Sequence, residues 1–361
     1  MGWYLWRVRR LYRFRPYPLE IIIYNIILLT NNANFLFIYF HNSYNKNKMI
    51  RTAECVSPMH PDKMCDRISD GILDFHLNQD PNSRCAIEVC GGNGKVFVTG
   101  EVTSTAKVTE DDIRNIVYIV SGVEDVIIHL NQQSPEIAQG VDTGGAGDQG
   151  IMIGYACRDN ELFLPQEYYL SRELNKHIFS RYPYDGKTQV TMNGNSLRVV
   201  ASFQKAPADD LVALVLEYFE DYPHYHIEEL HCNPAGDWNI GGFTADAGVT
   251  GRKLAVDNYG PRVPLGGGAF SGKDCTKVDR SAAYMARRIA VDILEARPKV
   301  QEVFVQLAYA IGYNEPLQAS AIVDGEHEFI KGYDLSPQGI IDFLELRKPI
   351  FSNTAKYGHM G

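Results

Sequence analysis

Apolar residues recur at helical spacing in several stretches of the chain, and these stretches begin at residues typical of helix starts. Pro61 opens the first, which we predict to run to about Leu77. Thr109 and Asp112 have the spacing of a capping box ahead of a second helix. We predict further helices in three places: residues 209–220, residues 279–296 with a cap at Asp279, and residues 336–346.

Strand-like runs occur in blocks between these helices, and glycine-rich segments separate the blocks. Two runs cover residues 84–90 and 95–104, with a four-residue turn between them, and a third covers residues 300–311. Residues 134–150 and 233–278 are rich in glycine, and we predict irregular structure there. No internal repeat is apparent in the sequence. Helices and strands in separate blocks indicate an α+β fold.

Glu88 and Glu101 lie on the two strands next to the predicted turn. A four-residue turn would place Glu88 opposite Phe97, with Thr99 and Glu101 following on the same sheet face. Two carboxylates on one face repel each other unless a cation or a bound ammonium group lies between them. The alternative is a pair of solvated acids, and a register shift of one residue would remove the coincidence.

Residues 1–48 differ in charge and composition from the rest of the chain. They hold seven Lys or Arg and one acid, whereas the remaining 313 residues hold 28 basic and 43 acidic side chains. A basic run followed by an apolar stretch has the charge order of a signal peptide, but no small-residue cleavage site follows. We predict an extension that is disordered or not translated, with the true start at Met49. A targeting or membrane segment is the alternative.

The overall charge and the cysteine pattern exclude broad classes of function. The net charge of −9 argues against general nucleic-acid binding, so any anion site must concentrate its cations locally. Seven cysteines, an odd number without a CxxC pair, argue against a zinc site or a disulfide framework. We therefore expect reduced thiols in a cytoplasmic protein.

The clearest chemical signal is the glycine-rich run from Gly266 to Asp274. From Gly267 to Lys273 it has P-loop spacing, but Asp274 replaces the Ser or Thr that binds Mg²⁺ in a P-loop. No apolar strand precedes the run, which argues against a P-loop NTPase. Backbone N–H groups and Lys273 still suit a polyphosphate, and the alternative is an ordinary flexible loop.

The first predicted helix begins with a second group of candidates, His60, Asp62 and Lys63. Acidic residues then recur at every fourth position: Asp62, Asp66, Asp70 and Asp74. This spacing is typical of a solvated helix face. We expect only Asp62, in the first turn beside His60, to be placed for phosphate and Mg²⁺ binding.

Together these segments resemble the S-adenosylmethionine synthetases. The matching stretches span nearly all of the chain after Met49: Ala53–Ser57 with His60–Lys63, Gly100–Thr103, Gln133–Ile137, Gly145–Gly150, Thr250–Lys253, and Gly266–Asp274 with Lys277–Ser281. The resemblance implies synthesis of S-adenosylmethionine from L-methionine and ATP, with hydrolysis of tripolyphosphate to phosphate and diphosphate. A noncatalytic regulatory relative of the synthetase is the alternative.

The resemblance also implies an architecture and partners. It implies three similar α+β domains in a pseudo-threefold arrangement: residues 49–136, residues 137–239 with a gating loop at their start, and residues 240–361. It implies self-association as a homodimer or homotetramer with active sites at the interface. The only other partners it implies are ATP and L-methionine, and we expect neither nucleic acid nor membrane.

Finally, the resemblance implies roles for individual residues. The residues expected in catalysis are His60, Lys187, Arg252 and Lys273. Those expected to bind ATP are His60, Asp185, Lys187, Asp237, Trp238, Asp246, Arg252, Lys253, Ala269 and Lys273. Those expected to bind methionine are Glu101, Gln133, Asp246 and Lys277. The expected metal ligands are Asp62 and Asp279 for two Mg²⁺ ions per site, and Glu88 for K⁺. The chain departs from the family at Met59, where Gly is typical, and at Asp237, where Arg is usual.

Overall fold

Three four-stranded sheets with helices packed on them form the part of the chain that the computed structural model describes, residues 49–132 and 144–361. The strands are β1 (Arg51–Val56), β2 (Arg84–Gly92), β3 (Lys95–Thr103), β4 (Asp125–Asn131), β5 (Gly150–Cys157), β6 (Gly186–Asn193), β7 (Ser196–Phe203), β8 (His226–Cys232), β9 (Gly248–Val249), β10 (Glu302–Tyr309), β11 (Gln318–Val323) and β12 (Glu326–Phe329). The helices are α1 (Pro61–Leu77), α2 (Glu110–Ser121), α3 (Gln166–Arg181), α4 (Ala208–Glu220), α5 (Leu254–Asp257), α6 (Val278–Ala296), α7 (Pro337–Phe343) and α8 (Phe351–Thr354). The predictions for residues 1–48, and for most of the gating loop, concern residues outside this description.

Each sheet takes one edge strand from a distant part of the chain. The strand orders are β1-β6-β7-β8, β5-β10-β11-β12 and β9-β2-β3-β4. In every sheet the distant strand, β1, β5 or β9, pairs antiparallel with the first strand of a hairpin. The transfers form a closed cycle, because β1 passes over β2–β4 to pair with β6, β5 passes over β6–β8 to pair with β10, and β9 pairs back with β2.

The order of elements repeats along the chain. The run β1-α1-β2-β3-α2-β4 is followed by β5-α3-β6-β7-α4-β8 in the same order. A third run begins with β9, α6 and the β10–β11 pair, and then departs by adding β12 and α7. The α+β fold of three similar units is therefore confirmed, whereas the linear boundaries at 136/137 and 239/240 stay a prediction.

The hairpin between β2 and β3 corrects the predicted register. Gly92 pairs with Lys95, so the turn contains only Asn93 and Gly94, whose φ angles are 50° and 75°. Asn-Gly is the pair that best adopts two successive left-handed conformations. Glu88 therefore faces Thr99 rather than Phe97. The correction moves the register by two residues, so Glu88 and Glu101 still share a sheet face.

Two predicted helix ends are also wrong. Asp279 does not cap α6, because the N-cap is Lys277 and Asp279 lies inside the first turn. The last predicted helix stops at Phe343 rather than at Leu346, since Glu345 adopts a left-handed φ of 52° that a helix cannot include. By contrast, α1 begins at Pro61, and Thr109 and Asp112 form both bonds of the capping box as predicted.

None of the helices in the described ranges combines the length and the apolar character that a membrane crossing requires.

Helix α6 packs directly on β5 at Gly154. A Cβ atom at this position would lie 2.0 Å from the carbonyl oxygen of Ala286 and 2.7 Å from the backbone nitrogen of Arg287. Only a residue without a side chain allows this approach of helix to strand. This contact fixes the middle of α6 against β5.

Gly154→Ala should therefore lower the free energy of unfolding by about 1–3 kcal/mol, the usual cost of overpacking a core. Urea unfolding of the variant would measure this loss. Gln318→Ala, on an exposed position of the same sheet, is the control and should unfold like the wild type. Equal stability of Gly154→Ala and the wild type would show that the helix can shift without loss.

Candidate functional site

The start of α1 and the segment after β9 bring one group of predicted site residues together. We call this group the His60 cluster, and its members are His60, Asp62, Lys187, Asp246, Arg252 and Lys253. Asp62 is its centre, since Lys253 Nζ lies 2.5 Å from Asp62 Oδ2 and Arg252 Nε lies 3.4 Å from Asp62 Oδ1. The backbone N–H of Val249 also donates to Asp62 Oδ1 at 3.0 Å.

His60 is the N-cap of α1, and its ring is held by the helix that it caps. The backbone N–H of Asp62 donates to His60 Nδ1 at 3.2 Å. Burial, and next the positive charge of Lys253, lower the pKa of His60 to about 4, although Asp62 acts in the opposite direction. A neutral ring whose Nδ1 accepts a hydrogen bond carries its proton on Nε2. His60 therefore offers a neutral N–H donor on the side away from the helix.

Asp62 is ionised in spite of its burial. Desolvation opposes its charge, but hydrogen bonds from Lys253 and Val249, together with the charge of Lys253, outweigh it and lower the pKa of Asp62. The whole cluster holds three cations, Lys187, Arg252 and Lys253, and the two carboxylates of Asp62 and Asp246, and Lys187 Nζ also lies 3.2 Å from Glu54 Oε2. The two cations beside Asp62 outnumber its single carboxylate, and such local positive charge is what an acidic protein needs in order to bind an anion.

The replacement of glycine by Met59 does not disturb this corner. Positive φ occurs at six described non-glycine residues, and Met59 is not among them. Arg67 Nη1 donates to the carbonyl of Pro58 at 2.9 Å and lies 3.6 Å from Met59 Sδ. The methionine therefore has ordinary backbone geometry, and its side chain contacts α1.

A second group forms where the glycine-rich run meets β2 and α6. We call it the Lys273 cluster, and its members are Glu88, Gly268, Lys273 and Asp279. Lys273 Nζ lies 2.6 Å from Asp279 Oδ2, and the backbone N–H of Gly268 donates to Asp279 Oδ1 at 3.2 Å. Desolvation raises the pKa of Glu88, and the nearby charge of Lys273 opposes this rise.

The remaining predicted residues lie around these two clusters. Lys277 Nζ is paired with Asp274, whose Oδ2 also accepts the backbone N–H of Cys85 at 2.7 Å. Ala269 lies against Gly251, because a Cβ atom on that glycine would lie 2.4 Å from Ala269 Cβ. Gln133 is outside the described residues.

Three residues predicted to contact the nucleotide lie in the loops before β6 and after β8. Asp185 Oδ2 accepts the backbone N–H of Gly242 at 3.0 Å, and burial raises the pKa of Asp185. The backbone carbonyl of Trp238 accepts the N–H of Lys205 at 2.8 Å. Asp237 Oδ1 accepts the N–H of Ala208 at 3.0 Å, so its carboxylate is already bonded at the start of α4.

The two clusters are separated along α1. Asp62 belongs to the first cluster, whereas Asp70 bonds to Gly272 and Arg280, the neighbours of Lys273 and Asp279. Eight residues of helix separate the two carboxylates, which corresponds to about 12 Å along the axis. The described residues therefore place the predicted site residues in two clusters at different levels of α1.

The acidic residues of α1 contradict the prediction of a solvated face. All four are buried, with exposed fractions of 1% for Asp62, 0% for Asp66 and Asp70, and 8% for Asp74. We call these four residues the acidic stripe. Each accepts backbone N–H groups from residues far along the chain: Asp62 from Val249 at 3.0 Å, Asp66 from Gly251 at 2.8 Å, Asp70 from Gly272 at 2.8 Å, and Asp74 from Phe351 at 3.0 Å and Ser352 at 2.8 Å.

Two buried cations accompany the acidic stripe, and sequence reasoning missed the partners of both. Lys63 Nζ lies 2.9 Å from Asp66 Oδ2 and 2.6 Å from Asp257 Oδ1. Arg280 donates two bonds of 2.7 Å to the two oxygens of Asp70. Acidic residues at every fourth position are compatible with a buried helix face as well as with a solvated one, so the spacing did not reveal this packing. The only indication in the sequence was that the partner segments are rich in glycine.

The donor set decides which metal ion could be held. Within residues 49–132 and 144–361, no three His, Cys, Asp or Glu side chains are grouped so as to hold a metal ion. Asp62 and Asp279 are instead isolated carboxylates beside lysines. Such an arrangement fits Mg²⁺, which commonly takes one or two carboxylates and completes its shell with phosphate oxygens and water.

Comparison with known proteins identifies the family. Three family profiles match consecutive parts of the chain: S-adenosylmethionine synthetase, N-terminal domain, over residues 48–142; central domain, over residues 143–202; and C-terminal domain, over residues 240–361.

Relatives and a solved structure agree over most of the chain. The S-adenosylmethionine synthase of Parvibaculum lavamentivorans is 39% identical, over 88% of this chain and 93% of the relative. That of Salinibacter ruber is 41% identical, over 86% of this chain and 92% of the relative. A structure described as an unusual S-adenosylmethionine synthetase from Campylobacter jejuni superimposes with a TM-score of 0.77 at 32% identity, covering 86% of this chain and 94% of that one. The chain belongs to the S-adenosylmethionine synthetase family.

Proposed function

We propose that the chain synthesises S-adenosylmethionine from L-methionine and ATP, and hydrolyses the tripolyphosphate to phosphate and diphosphate before release. One observation supports this most directly. Lys273, Arg252 and Lys253 lie beside the carboxylates of Asp279 and Asp62, and the N–H groups of the glycines that precede Arg252 and Lys273 fix these segments on α1. Such a set of fixed cations suits a polyphosphate chain and does not require a nucleophilic side chain.

The reaction requires charge stabilisation more than proton transfer. The methionine sulfur attacks C5′ of the ribose, a C–S bond forms, and the C5′–O bond breaks with its electron pair going to the triphosphate. A thioether sulfur has no proton to lose, so no general base is needed. Fixed cations and N–H donors stabilise the growing charge on the leaving group.

His60 acts in this mechanism as a neutral donor. Its Nε2–H donates to the phosphate chain near the breaking bond, while Nδ1 remains bonded to the backbone of Asp62. The distance of 3.2 Å for that bond and the lowered pKa support this role, because both favour the tautomer with its proton on Nε2.

The family is a metal-dependent one, and the identity of the ions is part of the proposal. Asp62 and Asp279 would hold Mg²⁺, and Glu88 would serve a K⁺ site. When bound, these ions supply charge neutralisation to the phosphate chain. The chain's own contribution is to keep the carboxylates beside Lys253 and Lys273, so that charge stays balanced when the ions are absent.

In this proposal Glu101, Gln133, Asp246 and Lys277 bind methionine. Glu101 pairs with the methionine ammonium group. The shared face of Glu88 and Glu101, which the corrected register preserves, supports separate roles for the two carboxylates.

Self-association completes the site in this proposal, with the His60 cluster of one copy facing the Lys273 cluster of another. Support comes from the separation of the clusters along α1. It also comes from exposed apolar side chains beside Glu88 and Glu101, where Phe97 is 40% and Ile127 53% exposed. Analytical ultracentrifugation would distinguish dimers from tetramers. The seven free thiols support a cytoplasmic location.

Lys273→Met tests the phosphate site. Removing one preorganised donor should lower kcat for S-adenosylmethionine formation by about 10²–10³-fold. The KM for ATP should rise, because the triphosphate is charged in both the ground state and the transition state. Hydrolysis of added tripolyphosphate should fall as well. Lys348→Met, which removes an exposed lysine paired with Glu345, is the control. Wild-type rates in Lys273→Met would exclude the glycine-rich run as the phosphate site.

His60→Asn tests the role of His60 as a hydrogen-bond donor separately from its role as the N-cap of α1. Asn is a good N-cap, so the free energy of unfolding at pH 7.5 should stay near wild type, while kcat falls by about 10²-fold. Because the folded pKa of about 4 lies below the unfolded value of 6.5, the unfolded state binds the proton first as pH falls. The contribution of His60 to stability is therefore present above pH 6.5 and lost between pH 6.5 and 4, and the variant should lack that loss. Equal pH dependence in both proteins would mean that His60 titrates normally.

Mixing two inactive variants tests the shared site. A chain with His60→Asn and a chain with Lys273→Met, unfolded and refolded together, should recover about a quarter of wild-type activity under random pairing in symmetric dimers. Each mixed dimer would hold one intact site and one doubly altered site. Analytical ultracentrifugation would give the oligomeric state. Absence of recovery in mixtures that demonstrably contain mixed dimers would place each site within one chain.

A further inference from the structure

Two carboxylates of the acidic stripe bond to backbone atoms directly beside the predicted phosphate-binding cations. Asp66 accepts the N–H of Gly251, which precedes Arg252, and Asp70 accepts the N–H of Gly272, which precedes Lys273. The two arrangements are parallel, since each joins a buried carboxylate of α1 to a glycine that is followed by a cation.

Both glycines are fixed by sterics as well as by the hydrogen bond. Gly251 and Gly272 have φ angles of 76° and 82°, in the left-handed region that favours glycine. A Cβ atom on Gly272 would lie 1.9 Å from the carbonyl oxygen of Ile87. The direction of the chain after each glycine therefore depends on the carboxylate that accepts its N–H and on the left-handed conformation of the glycine.

The buried charges around these carboxylates hold them in place. Asp66 shares Lys63 with Asp257, and burial raises the pKa of Asp66 to about 7 against the opposing charge of Lys63. Asp70 receives both ends of the Arg280 guanidinium, and Arg280 Nη1 also donates to the carbonyl of Lys273 at 2.8 Å. Neither Asp66 nor Asp70 is exposed, so neither can itself contact a nucleotide.

We infer that Asp66 and Asp70 are positioning residues for the reaction, Asp66 for the Arg252–Lys253 segment and Asp70 for Lys273. The inference rests on the proposed function, because it assigns these carboxylates to the segments that bind the triphosphate. One turn of α1 separates them, so the helix fixes where both segments begin.

Asp74 offers a matched control on the same helix. It is also buried and accepts two backbone N–H groups, but those belong to Phe351 and Ser352, which are not predicted site residues. Because the Phe351 ring lies against Arg280, Asp74 is a control for Asp66 rather than for Asp70. Asp74→Ala should therefore lower stability without changing the kinetics. A purely structural role for Asp66 would make Asp66→Ala behave in the same way.

The experiment compares Asp66→Ala, Asp66→Asn and Asp74→Ala in the full chain. Asp66→Ala keeps Lys63 paired with Asp257, so we expect a folded protein whose kcat/KM for ATP falls by up to about 10²-fold, the cost of a misplacement near 1 Å. Asp66→Asn should recover most of this loss, since its amide oxygen can still accept the N–H of Gly251. Amide hydrogen exchange at Gly251 should rise in Asp66→Ala and not in Asp74→Ala.

Asp70 needs a paired change, because Asp70→Ala alone would leave the buried Arg280 without its carboxylate. The double variant Asp70→Ala with Arg280→Met removes both charges. Its tripolyphosphate hydrolysis, which depends on Lys273, should fall by about 10²-fold. Wild-type hydrolysis in this variant would overturn the assignment of Asp70.

The outcomes separate this inference from the proposed function. An active wild type together with Asp66→Ala kinetics equal to those of Asp74→Ala would overturn the positioning role alone. A wild type that forms no S-adenosylmethionine from ATP and methionine would overturn the proposed function, and the inference with it.

Discussion

Buried carboxylates on one helix are the constraint around which the rest of the structure is arranged. A carboxylate removed from water must find a cation or several hydrogen-bond donors, or it will not stay charged. On α1 the four acids of the stripe meet this need with backbone N–H groups from residues 249–272 and 351–352, and with four cations: Lys63, Arg252, Lys253 and Arg280. The segments that carry the predicted chemistry are held in place by the same bonds. The same hydrogen bonds therefore hold α1 against its partner segments and set the geometry of the site.

Local signals in the sequence predicted local structure well. Pro61, the capping box at Thr109 and the long α6 needed only short-range rules, and the family motifs pointed to residues that lie together in two clusters. The predicted hairpin register was wrong because all four residues from Gly91 to Gly94 favour turns. The sequence did not indicate that only Asn93 and Gly94 occupy the turn.

What the sequence could not show depends on partners that are distant along the chain. Asp66 and Gly251 are 185 positions apart, so no local pattern links them. Acidic residues spaced four apart along a helix can face water or a buried loop. The strand exchange escaped prediction for the same reason, since β1 carries no sign that its partner is β6. The threefold repeat is visible in the order of elements, whereas no matching repeat of residues is apparent in the sequence.

The cyclic exchange of strands has a consequence for synthesis on the ribosome. When β1 emerges, its partner β6 has not been made, and β5 must wait for β10, some 150 residues later. The sheet of β2, β3 and β4 cannot gain its fourth strand until β9 has been made. Nascent chains thus carry open strand edges for most of translation, and such edges invite pairing with the wrong neighbour. No sheet draws all four of its strands from one consecutive third of the described chain, so none of the three thirds can complete a sheet by itself.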